Sequence, residues 1–337
     1  MKPLNVLIPS LLAVSLGLPL WGCTQTSPTA MATQVGTNQN TEPASTPGHE
    51  TGQEAGHPEN QLAESQTVVE MPHIHGLGYT ADGRQLFVAA HDGLRVFADG
   101  RWSIPDLPPH DYMGYTATDS GFYSSGHPHP AAGLVNPLGL VKSGDGGQTF
   151  TTLSFEGESD FHLMGVGYRN HAIYVFNPAP NSRLIVGLFY SLDEGQSWQQ
   201  SALQGLTANP IQIAVHPTEA NRIALATEGG LLLSSNYGDT LAPVGESGLV
   251  TVVAFAPQGD RLLFGAQTLS AYTLAGEQVA KLPDPPLASD DAMAYLAINP
   301  TQADEITLAT FQRHIYRSLD GGQSWVQIAQ AGRSIIQ

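Results

Sequence analysis

Histidine is the residue type whose distribution in this sequence points to chemistry. Of the 12 histidines in the chain of 337 residues, eight lie between positions 73 and 171. Imidazole is a common ligand of copper and zinc, and an additional thioether would favour Cu(I). The candidate metal ligands, chosen by the positions described below, are His73, His75, His91, Asp111, His127, His162, Met113 and Met164.

The composition argues against several other classes of protein. Lysine and arginine number 13 against 30 aspartates and glutamates, so the formal net charge is −17, which disfavours binding to nucleic acid. The single cysteine cannot form an internal disulfide or a cysteine-rich zinc site. With 36 glycines, 24 prolines and 13% charged residues, the chain suits many short strands and turns rather than helices.

The first 66 residues differ in composition from the rest. An apolar run from Leu4 to Leu20 follows a single lysine and is typical of a secretory signal. The segment Leu20-Trp21-Gly22-Cys23 resembles a bacterial lipobox, which implies cleavage before Cys23 and lipidation of that cysteine. Residues 24–66 are polar, contain no lysine or arginine and are predicted to form a disordered tether.

The predicted organisation is therefore a signal peptide over residues 1–22, a tether over residues 23–66 and a folded domain over residues 67–337. It places the folded domain outside the cytoplasm, attached to a membrane of the cell envelope through the lipid on Cys23. The alternative is an ordinary secreted protein with a spare thiol.

An eight-residue string recurs through the folded domain. It reads SGDGGQTF at 143–150, SLDEGQSW at 191–198 and SLDGGQSW at 318–325, with a degenerate copy, SSNYGDTL, at 234–241. The string predicts a turn in which Ser and Asp side chains cap backbone N–H groups and Gly takes a positive φ. The turn residues are Ser143, Asp145, Gly147, Phe150, Ser191, Asp193, Gly195, Trp198, Asn236, Gly238, Ser318, Asp320, Gly322 and Trp325.

The spacing of this repeat predicts the fold. The last residue of each string serves as a marker: Phe150, Trp198, Leu241 and Trp325. Trp102 and Val279 lie where two further markers are expected, which gives six markers about 40–50 residues apart. This is the length of a four-stranded propeller blade. A second column of small residues fits innermost strands that crowd toward an axis: Gly76, Gly114, Gly165, Ala214, Ala254 and Ala297. The predicted fold is all-β, a β-propeller of six four-stranded blades; seven blades, one of them assembled from both termini, is the alternative.

This region resembles the Asp-box (BNR) repeat propellers. That family includes sialidases, the sortilin ectodomain, photosystem II assembly factors and bacterial lipoproteins labelled as glycosyl hydrolases. The resemblance to the lipoproteins lies in His73-Ile-His75-Gly76, Asp111-Tyr-Met-Gly114, Gly126-His127-Pro128 and Asp160-Phe-His162. It implies that the Asp-box turns lie at the outer, lower edge and are structural, and that a ligand site lies on the opposite, upper face.

The resemblance implies little about activity. Sialidases carry an Arg-Ile-Pro motif, and this sequence contains none. A different glycosidase would need two carboxylates about 5–10 Å apart in the axial mouth. The carboxylates placed near it are Asp92, Asp111, Glu158 and Asp160.

The predicted blades bring the histidines together. In a propeller, the start of each inner strand and the end of each second strand reach the upper face. The residues expected to converge there are His73, His91, Asp111, His127 and His162, with His75, Met113 and Met164 one pleat lower. A transition-metal site for copper or zinc, a purely structural polar network and a site for an organic or glycan ligand remain alternatives.

Three functions follow from these alternatives. The first is a lipid-anchored extracytoplasmic module that binds a metal, a glycan or a partner protein without catalysis. The second is a glycoside hydrolase of the Asp-box type. The third is an assembly scaffold for a membrane complex, which the acidic charge disfavours.

Overall fold

The computed structural model describes residues 67–336. The predicted signal peptide, Cys23 and the tether lie outside the described residues. Within residues 67–336 the only helical element is a 3₁₀ turn at Pro130–Ala132. No helix in this range has the length and apolar character needed to cross a membrane.

Six antiparallel sheets follow one another along the chain, and each contains consecutive strands. We call them blades 1 to 6. Blade 1 holds strands β1–β4, blade 2 β5–β8, blade 3 β9–β12, blade 4 β13–β16, blade 5 β17–β20 and blade 6 β21–β25. The strands are β1 (Ile74–Tyr79), β2 (Leu86–Ala90), β3 (Gly93–Ala98), β4 (Arg101–Ser103), β5 (Asp111–Thr118), β6 (Gly121–His127), β7 (Leu140–Ser143), β8 (Thr151–Ser154), β9 (Met164–Val166), β10 (Ile173–Asn177), β11 (Gly187–Ser191), β12 (Gln199–Gln200), β13 (Pro210–Val215), β14 (Ile223–Thr227), β15 (Gly230–Ser234), β16 (Ala242–Val244), β17 (Val252–Phe255), β18 (Arg261–Gly265), β19 (Leu269–Thr273), β20 (Gln278–Lys281), β21 (Met293–Ile298), β22 (Ile306–Thr310), β23 (Ile315–Ser318), β24 (Val326–Gln330) and β25 (Arg333–Ser334).

The first strands of the blades form a closed ring around the axis. Strands β1, β5, β9, β13, β17 and β21 are neighbours in that order, and β21 lies beside β1. The fold is therefore a six-bladed β-propeller, as the spacing of the sequence markers predicts. The predicted small residue lies within the first strand of each blade, but not at one register: Gly165, Ala214 and Ala297 pair with the second residue of the next strand, whereas Gly76 pairs with Ala89, the fourth.

The ring closes through the segment before β1. The Ser334 N–H donates to the carbonyl of Val69 at 2.9 Å, and the Met71 N–H donates to the carbonyl of Gly332 at 2.7 Å. Met71 is fully buried in a core cluster with side chains of blades 1 and 6. The start of the domain thus adds to the outer edge of blade 6 and does not build a seventh blade.

Crowding at the axis explains the column of small residues. A Cβ on Gly165 of β9 would lie 2.7 Å from the carbonyl oxygen of Ile213 on β13. A Cβ on Gly76 of β1 would lie 2.8 Å from the Cβ of Tyr115 on β5. Glycine is therefore required where these inner strands approach each other most closely.

Candidate metal centre

The strand ends that face one side of the ring carry the predicted ligands. His75 is on β1, Asp111 begins β5 and His127 ends β6. His91 follows β2, and its N–H donates to the carbonyl of His73 at 3.1 Å. Asp111 and His127 are directly paired across the β5–β6 ladder. The antiparallel pairing of first and second strands therefore collects these side chains at the upper face.

The first group of ligands is centred on the Asp111 carboxylate. Its Oδ2 lies 2.7 Å from His91 Nδ1, and its Oδ1 lies 3.5 Å from His75 Nε2. One ligand atom from each of these three residues lies within 4.8 Å of the others. The His73 ring is 6.0 Å from the His91 ring and 6.4 Å from the His75 ring, between centroids. Three imidazoles and a carboxylate thus share one small region.

His75 reaches Asp111 from a position at the cavity. It was expected one pleat below the other ligands; it lines the axial cavity, and its Nε2 faces Asp111 at 3.5 Å. The ladder between β1 and β2 changes register between Ile74 and Gly76, and this irregularity falls at His75. A β-bulge re-aims the side chain of the extra residue, which brings His75 into the group.

Two atoms at the centre of the group have no hydrogen-bond partner. His75 Nε2 and Asp111 Oδ1 are both buried, and neither bonds to any described residue. Only 9% of the Asp111 side chain is exposed. Buried polar atoms without partners are costly, so a bound cation is the kind of group that would satisfy both.

Burial also sets the protonation of the group. Burial, followed by the nearby imidazoles of His91 and His162, lowers the pKa of His75 to about 4. Burial raises the pKa of the Asp111 carboxyl, and the His91 charge opposes this. At neutral pH His75 is therefore an uncharged imidazole, the form that binds a metal ion.

The second group is centred on Asp160, on the connection between β8 and β9. Asp160 Oδ2 lies 2.6 Å from His162 Nε2 and 3.2 Å from His127 Nε2. The hydrogen bond to Asp160 raises the pKa of His162. From the sequence, Asp160 was expected only as a carboxylate near the axial mouth. Its position two residues before His162, in the string Asp160-Phe-His162, was the signal that could have paired them.

The two methionines lie in different surroundings from the imidazoles. Met164 is buried in an apolar cluster with Phe161 and Val166. Met113 is half-buried on β5. Neither thioether carries the argument for a metal, so the structure adds no support for a preference for Cu(I).

The remaining carboxylates that sequence analysis placed near the mouth have structural partners. The Arg95 guanidinium donates to Asp92 at 2.6 Å, and the Ser182 N–H donates to Glu158 at 2.8 Å. Asp111 and Asp160 are the two carboxylates of this set that lie among imidazoles.

The four repeated turns share one pattern of hydrogen bonds and lie between the third and fourth strands of their blades. In the first, the Gly147 N–H donates to Ser143 Oγ at 2.8 Å, and the Thr149 N–H donates to Asp145 Oδ1 at 2.9 Å. Asp145, Asp193 and Asp320 make equivalent bonds, and Asn236 replaces them in blade 4. These side chains hold turns and are not part of the two groups of imidazoles.

Below the imidazoles, a cavity of about 270 Å³ runs along the inner strands. His75 and His162 lie in its wall, together with Gln212 and Thr251 of blades 4 and 5. Polar and apolar groups both line it. A ligand bound at the upper face would have access to this space.

Solved structures with similar folds include two enzymes of glycoside hydrolase family 74. The xyloglucanase from Xanthomonas campestris is 18% identical over 79% of this chain and 46% of its own, with a TM-score of 0.50. The Niastella koreensis enzyme is 14% identical over 78% and 46%, with a TM-score of 0.53. This chain therefore spans less than half the length of either enzyme, and identities this low show the fold alone.

YCF48 bound to a D1 peptide is a third match, 16% identical over 77% of this chain and 84% of that one, with a TM-score of 0.46. No protein-family model matches the sequence. No curated protein matches it either.

Proposed function

We propose that this chain is a lipid-anchored, extracytoplasmic β-propeller that binds a divalent transition metal at its upper face through His75, His91 and Asp111. The observation that carries the proposal is the buried pair of unpartnered atoms, His75 Nε2 and Asp111 Oδ1, 3.5 Å apart. Burying two polar atoms without a partner costs free energy. A metal ion bound between them would give each atom a coordination bond and remove that cost.

The chemistry of the donors sets the class of metal. Two imidazoles and one carboxylate suit Zn²⁺ or Cu²⁺ and are less suited to Ca²⁺ or Mg²⁺, which prefer oxygen ligands. The net charge of −17 raises the local concentration of cations near the surface. Copper should bind more tightly than zinc at equilibrium, because such sites follow the usual order of divalent affinities.

Metal affinity tests the proposal directly. In untagged full-length protein, His75→Gln and Asp111→Asn should each weaken Zn²⁺ and Cu²⁺ binding at this group by more than about 100-fold, since loss of an outer partner alone costs 10–100-fold. Competition with a chromogenic chelator measures the affinity, and elemental analysis measures the retained metal.

Asp119→Asn is the matched control. Asp119 also bonds an imidazole, His171 Nε2 at 2.6 Å, but it follows the opposite end of β5 from Asp111. This variant should bind metal as the wild type does. Unchanged affinity in both His75→Gln and Asp111→Asn, with the fold intact, would refute the metal site.

Glycoside hydrolysis receives less support from the geometry. The two neighbouring hydrolases share the fold with this chain at 18% and 14% identity. Asp111 and Asp160 each lie beside two imidazoles, whereas a glycosidase pair needs one carboxylate free to protonate the leaving group and one free to act as base or nucleophile.

The anchor rests on the N-terminal sequence. The apolar run to Leu20 and the single cysteine at position 23 support export and lipidation, and residues 24–66 would separate the propeller from the lipid. Such a tether would leave the upper face open to solutes outside the cytoplasm.

A further inference from the structure

The axial cavity has a wall whose charge differs from that of the chain as a whole. Its lining comes from the first strands of all six blades, from His75 at the upper end to Pro217, Pro257 and Pro300 at the lower end. Although the chain contains 30 aspartates and glutamates, none of the described residues that line the cavity is acidic. An anion inside the cavity therefore meets no carboxylate in its wall.

Two polar side chains face the cavity just below the level of His75. Gln212 and Tyr295 line it and are half-buried. Each is the first paired residue after the register shift in its strand, as Gly76 is after His75 in β1. The two side chains therefore leave the ring at one level, one residue or about 3.3 Å along the strand from that of His75.

The side chain of Gln212 offers the cavity a hydrogen-bond donor. Its Oε1 accepts from the Val253 N–H at 2.7 Å, and a backbone N–H can only donate, so this bond identifies the oxygen. The other end of the amide is the NH₂ group, which can only donate. An acceptor oxygen of a ligand is its natural partner.

The hydroxyl of Tyr295 is a second donor at this level. Burial raises the pKa of Tyr295 to about 12, so the phenol keeps its proton at neutral pH. A protonated phenol can donate to an acceptor oxygen as the Gln212 amide does. Both groups therefore favour a ligand that carries such an oxygen.

The upper end of the cavity meets the proposed metal site, because His75 belongs to both. Three protein ligands, His75, His91 and Asp111, leave a coordination position that a bound molecule can take. A divalent ion held by two neutral imidazoles and one carboxylate keeps a net positive charge, which favours an anionic group at that position.

The volume of the cavity limits the size of the ligand. At about 270 Å³ it lies just below the range of roughly 300–1,000 Å³ that is usual for sites of drug-sized molecules. It has room for about nine water molecules at ~30 Å³ each. A molecule with a short carbon chain fits this space.

We propose that the axial cavity binds a small organic carboxylate that carries an acceptor oxygen in its carbon chain. The carboxylate lies at the upper end, beside His75, and the acceptor oxygen lies lower, where Gln212 and Tyr295 donate to it. The position of the carboxylate rests on the proposed function. Gln212 and Tyr295 are not metal ligands, so the cavity and the metal site can be tested separately.

Calorimetric titration with 4-oxopentanoate tests the proposal in untagged full-length protein loaded with Zn²⁺, after its metal content has been measured. This probe has both a carboxylate and a carbonyl oxygen. Pentanoate lacks the carbonyl and pentan-2-one lacks the carboxylate, and each should bind at least about 10-fold more weakly, because each loses one set of interactions.

Two variants locate the probe in the cavity. Gln212→Glu keeps an oxygen for the Val253 N–H and replaces the donor by a charged oxygen, so it should weaken binding by more than about 10-fold. Tyr295→Phe removes only the hydroxyl group and should weaken binding about 5-fold. Gln199→Glu is the matched control, because it makes the same change of charge at an exposed position on β12 and should bind as the wild type does.

The outcomes separate this inference from the proposed function. Retained Zn²⁺ without binding of 4-oxopentanoate would overturn the inference and leave the proposed function standing. Binding that neither Gln212→Glu nor Tyr295→Phe weakens would place the acid outside the cavity and would also overturn it. Binding that Gln212→Glu abolishes, in protein that retains no Zn²⁺, would support the cavity site and contradict the proposed function.

Discussion

At the scale of single residues, three aspartates stabilise turns through the same hydrogen bonds, and these bonds lower the pKa of each carboxyl group. Hydrogen bonds from Thr149, Ser197 and Ser324 lower the pKa values of Asp145, Asp193 and Asp320, respectively, to about 2. Because the folded pKa lies below the ordinary value of 3.8, ionisation of these groups stabilises the fold above about pH 4. That stabilisation is lost as the pH falls through 2.

The fourth turn suggests how to test this effect. Asn236 accepts from the Thr240 N–H at 3.0 Å, so an uncharged amide can hold the same turn. Replacing Asp145, Asp193 and Asp320 together by Asn should make the unfolding temperature less dependent on pH between 4 and 2. The converse change, Asn236→Asp, should make the dependence steeper. Parallel curves for wild type and triple variant would show that these carboxylates do not contribute.

At the scale of elements, the approach of inner strands limits what the first strand of a blade can carry. The β9 and β13 strands meet at Gly165, where the obstructing atom is a backbone carbonyl that cannot rotate away. Blades 4 to 6 hold Ala214, Ala254 and Ala297 at the corresponding position. A methyl group is therefore accommodated at this position in blades 4 to 6.

Gly165→Ala should therefore destabilise the propeller. The new methyl group would force β9 and β13 apart, which should cost about 1–3 kcal/mol in the free energy of unfolding, as overpacking usually does. Denaturant titration measures it. Gly276→Ala is the control, because its Cβ would meet only ordinary contacts of 3.6 Å or more with Gln278, and it should change stability by less than about 0.5 kcal/mol. Equal effects of the two changes would contradict the crowding argument.

At the scale of the whole molecule, the proposed function depends on closure of the ring and on the proposed attachment of the chain. Closure uses residues far apart in sequence: Trp102 Nε1 donates to the carbonyl of Ile328 at 2.9 Å, and Val69 pairs with Ser334. A closed ring fixes the upper ends of blades 1 to 3 relative to one another, so ligands from three sheets can share a site. Attachment would come from Cys23, which lies outside the described residues.

The anchor has its own prediction. In a bacterial host, wild-type protein should sediment with membranes and Cys23→Ser should be found in the soluble fraction, because each buried methylene of an attached acyl chain contributes about 0.8 kcal/mol to membrane binding. Thr24→Ser, next to the cysteine, should remain with the membranes. A membrane-bound Cys23→Ser protein would contradict lipidation as the means of attachment.

The architecture of this protein could be predicted from its repeats. Repeat spacing predicted six blades and placed the repeated turns between strands, because a repeated backbone unit imposes its period on turn-forming residues. The same phase predicted that His73, His91, Asp111, His127 and His162 would meet on one face. In the structure His73 and His91 lie near Asp111, whereas His127 and His162 lie beside Asp160.

The pairing of each imidazole with its carboxylate could not be predicted in the same way, because it depends on contacts between blades. His75 lies at a bulge in β1, and the ladder shifts at the equivalent place in β13 and β21; the distance of 3.5 Å between His75 and Asp111 depends on how blades 1 and 2 pack side by side. Asp160 lies on a connection between strands, and its place at the centre of the second group depends on the path of that connection. The period of the sequence predicts where a residue lies along the backbone of its repeat. Irregular loops and bulges determine the exact distances between side chains, and these distances determine whether the donors can share a metal ion.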